Sequence, residues 1–158
     1  ATGITFSYGG TTNEMPTSDW GFGPSASFPS GWQPLLIGFA APGQSDLLDG
    51  DNAGAAFPVT LEFTSTGELV DVSGAAVIDT DLAAQLPMGF GGVSVGSIVL
   101  HELGHALGLA HVQDTDEIMH PVVGPWTPPA WGPGDREGLR RLGRTAGCTR
   151  TVPPAPWG

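Results

Sequence analysis

The sequence predicts an α+β fold, and three observations carry that expectation. Short extended segments occupy the first half of the chain, one amphipathic helical period runs from about 94 to 107, and a shorter helix signal follows near 136–142. At 158 residues the chain has the size of a single domain that buries its own core.

The extended segments come first. Residues 3–8, Gly-Ile-Thr-Phe-Ser-Tyr, alternate apolar and polar side chains and stop at Gly9-Gly10, the pattern of a strand closed by a turn. Residues 11–34 mix Pro, Gly, Ser and Trp without helical period and read as a long loop. Pro34 to Ala40 is almost wholly apolar, so a central strand is expected there. Further strands are expected at Phe57 to Thr64 and Ala75 to Asp79, around the turn-prone Ser65-Thr66-Gly67, with a helical turn at Asp81 to Gln85. Ahead of these, Gln44 to Gly54 carries Asp46, Asp49 and Asp51 among glycines, which suits either a solvated turn or a hard cation such as Ca2+.

Val95, Ile98, Val99, Leu103 and Leu107 recur at three- and four-residue spacing, which marks a helix with one buried face. After a Pro- and Gly-rich loop over 121–134, Asp135 is expected to cap a helix from Arg136 to Leu142 that ends at Gly143. Residues 1–147 are assigned to the domain and 148–158 to a Pro-rich tail or linker.

Composition excludes some partners. Lys is absent, five Arg face sixteen acids, and a net charge of -11 opposes binding to nucleic acid or an anionic membrane surface. No apolar run is long enough to cross a bilayer as a helix. Cys148 is the sole cysteine, so no intrachain disulfide forms, and its thiol is either without a role or paired in a longer chain.

The chemistry sits on the long helix. His101 and His105, four residues apart, lie one above the other on one face and can meet a single ion, while Glu102 is turned about 100° away and reaches toward the same place without ligating. His111 is the candidate third ligand, but a straight helix would carry it about 9 Å past His105. The helix must therefore end, and Gly108 supplies the left-handed residue that ends it and turns the chain back. Three imidazoles with a carboxylate alongside point to Zn2+ with an open position, where the metal acidifies water and Glu102 serves as base and then acid.

Eight residues on stands Met119, followed by His120 and Pro121, and here the chain resembles the metzincin peptidases, most closely the matrixins. His101 to His111 matches the extended zinc motif, Met119 with Pro121 resembles the methionine turn, and Gly134 to Leu139 resembles the start of the C-terminal matrixin helix. The resemblance covers residues 35–143, densest over 97–121. It implies a zincin-like fold, with a twisted mixed sheet packed on the active-site helix and a short C-terminal helix after the methionine turn. It also implies a secreted, monomeric zinc endopeptidase that binds peptide in extended form along an edge strand within 57–77. Ser97 and Val123 stand where the family shapes the S1' pocket, and both are small.

The chain departs from the family in two respects. No histidine precedes His101, so the upstream structural zinc of vertebrate matrixins has no ligands here. The family helix between the first two strands has no counterpart in residues 9–34, and residues 1–6 resemble the segment after that helix, so the N-terminal strand and helix are expected to be missing. The rival reading is a catalytically silent zinc-binding module with a structural or adhesive role, which would close the fourth position with a protein ligand such as His120 and would not need Glu102. A domain without metal is the third reading.

Overall fold

The computed structural model describes residues 6–63, 67–145 and 154–157, with the side chains of residues 63, 68, 144 and 145 left aside. Three strands form a mixed sheet in the order β1-β3-β2, with β1 at Leu35–Ala40, β2 at Gly54–Phe63 and β3 at Glu68–Asp79. β1 runs parallel to β3, and β2 runs antiparallel to it with a bulge between Val59 and Thr60. Pro58, which has no N–H to give a ladder, is accommodated because β2 lies at an edge of the sheet. The fold class is α+β, as the sequence predicted.

The central strand is not the expected one. Ala75 to Ile78 of β3 are fully buried, whereas β1 alternates, with Leu36 and Ala40 inside and Ile37 and Phe39 43% and 50% exposed. An apolar run suggests burial on both faces, but no described strand pairs with the outer side of β1. That side borders a groove of about 900 Å³ lined by Tyr8, Met15, Pro16, Phe28, Ile37 and Phe39 among others. β3 also begins earlier than expected, because pairing with β2 holds Glu68 to Gly74 extended, although only Val70 to Ser73 of that stretch alternate apolar and polar side chains. Of the expected strand at 3–8, residues 6–8 have no regular structure and the remainder lies outside the described residues, as do Thr64 of the next expected strand, Ser65 and Thr66 of the turn, and Cys148.

The loop before β1 is packed rather than solvated. Trp20 is buried with Leu36 and Ala75, and its indole N–H donates to the Pro34 carbonyl at 3.0 Å. Within the stretch assigned to the tail, Trp157 stands edge-on to Trp32 at 5.1 Å and donates to the Gly31 carbonyl at 3.2 Å.

Asp79 caps the short α1, Thr80–Ala83, by accepting from Asp81 and Leu82. The long helix α2, Val95–Ala106, starts at Ser94, whose side chain accepts from Ser97, and packs across β2 and β3. The last helix, α3 at Pro133–Arg140, starts three residues before the expected site. Asp135 is its third residue and not the cap residue itself, and its carboxylate reaches back to the Gly132 N–H at 3.0 Å. A π-helical turn, Arg141–Thr145, continues the helix past Leu142 and Gly143. No described helix is long and apolar enough to cross a membrane.

Candidate metal centre

α2 ends by the expected device. Gly108 has φ of +92°, its N–H donates to the His105 carbonyl at 2.9 Å, and the Leu109 N–H donates to the Gly104 carbonyl at 2.9 Å. These two bonds close a Schellman turn and reverse the chain. His111 is thereby returned to the helix, and the Nε2 atoms of His101, His105 and His111 form a triangle with sides of 3.1, 3.1 and 3.0 Å.

Such a triangle fits one ion, since three nitrogens of a tetrahedral zinc shell stand ~3.3 Å apart at ordinary zinc–nitrogen lengths. The protonation pattern agrees. His101 Nδ1 lies 2.8 Å from the Ile118 carbonyl and His105 Nδ1 2.8 Å from the Leu109 carbonyl. A carbonyl only accepts, so each Nδ1 carries the proton and each Nε2 presents a lone pair to the centre of the triangle. Burial holds His101 below the usual imidazole range, and burial with the neighbouring His105 does the same for His111. Both effects favour the neutral ring that a metal requires.

Met119 is buried, 1% exposed, with its sulfur against Gly104 between the two helical histidines. Gly104 makes this packing feasible, because a methyl group at that position would run into the Met119 sulfur and the Trp131 ring. The need for a small residue between the two helical histidines went unnoticed in the sequence, where Gly104 reads as one of the motif's variable positions. Pro121 follows on the exposed surface.

Glu102 is buried beside the start of β2, close enough that a methyl on Gly54 would touch its Cγ at 2.8 Å. Burial pushes its carboxyl up to about 7. Among the described residues no other histidine, cysteine or carboxylate joins the three-histidine group. His120 is turned aside, its Nδ1 accepting from the Val122 N–H at 3.2 Å and its ring edge-on to Trp126.

The remaining sequence candidates are Ser97, Val123 and the aspartates of 44–54. Ser97 is fully buried, and its hydroxyl accepts from the Gly91 N–H at 2.9 Å and meets Ser94 Oγ at 3.0 Å, so it ties down the loop before α2. Val123 is half-buried in the loop after the methionine turn. Asp46 accepts from the backbone and hydroxyl of Ser18, and the stretch up to β2 folds mainly as turns. Asp46, Asp49 and Asp51 bring no converging set of ligand atoms, so the turn reading of this stretch stands and the calcium expectation has no support.

No curated protein and no solved structure matches the chain. The family model of the matrixin peptidases matches residues 31–141, which take in the whole sheet, α2, the methionine turn and α3. By this match, and with its three histidines brought together, the chain belongs to the matrixin family.

Proposed function

We propose that the protein is a zinc-dependent endopeptidase in which His101, His105 and His111 hold the metal and Glu102 is the general base and acid. The observation that carries this reading is the convergence of three Nε2 atoms with no fourth described protein ligand, beside a buried carboxylate. Zinc bound there supplies Lewis acidity, which polarises a carbonyl and acidifies water. Glu102 takes the proton from the attacking water and delivers it to the leaving amine, so that one carboxylate acts twice. Its burial raises its proton affinity, which suits the second transfer.

The free edge of β2 is the natural seat for the substrate. β2 is an outer strand, and its first residue, Gly54, lies against Glu102, so a peptide added along this edge would pass the carboxylate. The numerous acids favour neutral or cationic peptides. Secretion and a monomeric state are inferred from family membership.

The test is incubation of the purified chain with a diverse peptide mixture, with and without a chelator, reading cleavage sites by mass spectrometry. Cleavage should need metal and fall by about 10²-fold or more in Glu102→Ala, which keeps its zinc. His105→Ala should lose zinc and cleavage together. Unchanged turnover in Glu102→Ala would end the assignment of the base, and stoichiometric zinc without any cleavage would favour a silent metal-binding module.

A further inference from the structure

Glu117 is a buried carboxylate, 7% exposed, and no described cation pairs with it. Its two oxygens are filled by backbone donors instead, Oε1 by the Gly134 N–H and Oε2 by the Asp135 N–H, each at 2.7 Å. These are first-turn donors of α3 that no helical carbonyl can satisfy, and the residue before them, Pro133, has no N–H to place. The seat is shaped for the carboxylate. A methyl on Gly132 would strike it, and one on Gly134 would come within 3.0 Å of Oε1.

The seated helix turn carries Asp135, which is buried as well. Asp135 Oδ2 accepts from the Ile118 N–H at 2.6 Å and Oδ1 from the Met119 N–H at 3.3 Å. The carbonyls of the same two residues face the metal ligands. Ile118 accepts from His101 Nδ1, and Met119 accepts at 3.0 Å from the N–H of Val112, the residue after His111. An unbroken path of hydrogen bonds therefore runs from Glu117 through the N-terminus of α3 and Asp135 to the peptide that orients one ligand and the backbone beside another.

We propose that Glu117 is a positioning residue for the metal centre, fixing through α3 and Asp135 the Ile118–Met119 peptide that aims His101 and holds the chain at His111. The proposal rests on the zinc reading above but concerns a residue that touches neither metal nor substrate. Outer-shell partners of metal-bound histidines typically matter by ~10- to 100-fold in metal affinity, and Glu117 stands one step further out.

The experiment compares the full chain with Glu117→Ala, Glu117→Gln and Gly134→Ala. Zinc affinity is read by competition with a chromogenic chelator, the ligand field by the visible bands of the cobalt(II)-loaded protein, and apo stability by thermal unfolding. Glu117→Ala should bind zinc about tenfold more weakly with altered cobalt bands. Glu117→Gln, which keeps one acceptor oxygen, should fall between it and the wild type. Gly134→Ala keeps the carboxylate but crowds its seat, and should shift both readouts in the same direction if Glu117→Ala fails to fold. A lowered apo midpoint with unchanged cobalt bands and zinc affinity would overturn the proposal and leave the zinc reading intact. A wild-type chain that takes up neither metal would overturn both.

Discussion

The two flanks of the sheet are finished in different ways. Beyond β2 and β3, α2, the methionine turn and the start of α3 are joined by hydrogen bonds in which two buried carboxylates, two imidazoles and a run of backbone donors all find partners. Beyond β1, the described chain offers a groove, an unpaired strand side and exposed Ile37 and Phe39. Order is concentrated where three rings must converge to within a few tenths of an ångström, and the open flank makes no such demand. The contrast separates the residues whose substitution should disturb the histidine triangle from those whose substitution should leave it alone.

The largest effect is expected on the ordered flank. Gly104→Val would drive its side chain against the sulfur of Met119, which is 1% exposed, and toward the Trp131 ring, and should cost about 2–3 kcal/mol by urea unfolding together with loss of zinc. A loss below about 0.5 kcal/mol, within the range of a neutral surface change, would mean that the methionine is not locked against the helix at Gly104. The open flank should respond far less. Phe39→Ser, at a half-exposed position on β1, should stay within about 1 kcal/mol and leave zinc affinity untouched. A large loss of zinc affinity would show that the two flanks are coupled through the sheet.

The smallest effect lies at the far end of α3. The hydrogen-bonded guanidinium of Arg140, with that of Arg141, holds the exposed Glu137 carboxyl at about 2, below its ordinary 4.5. Because the folded-state pKa is depressed, the stabilisation is present above pH 4.5 and is lost as the pH falls toward 2. Glu137→Gln should therefore lower the thermal midpoint slightly at neutral pH, converge with the wild type near pH 2, and flatten the slope between. A parallel offset across that window would assign the effect to something other than the ion pair.

What was legible in the sequence follows the same division. The helix and its metal motif could be read because a 3.6-residue period and an i, i+4 histidine pair are local signals, and because only a left-handed glycine could return His111. The first half of β3 could not, since the extended state of Glu68 to Gly74 is imposed by β2. The edge position of β1 could not be read either, because an apolar run looks alike whether it has two neighbours or one. The roles of Glu117 and Asp135 were invisible because their partners are backbone N–H groups, which every residue but proline carries, brought close only by the fold.

The side of β1 that no described strand covers has a bearing on how the protein behaves in concentrated solution. Residues 34–43 contain no charged side chain, so the strand lacks the lysines and glutamates that usually keep exposed sheet edges apart. Mutual repulsion between whole molecules, at a net charge of -11, is then the chief barrier to edge-on stacking. It vanishes near the isoelectric point of about 4.3 and is screened by salt, so mildly acidic, high-salt buffers are where the domain should first turn cloudy.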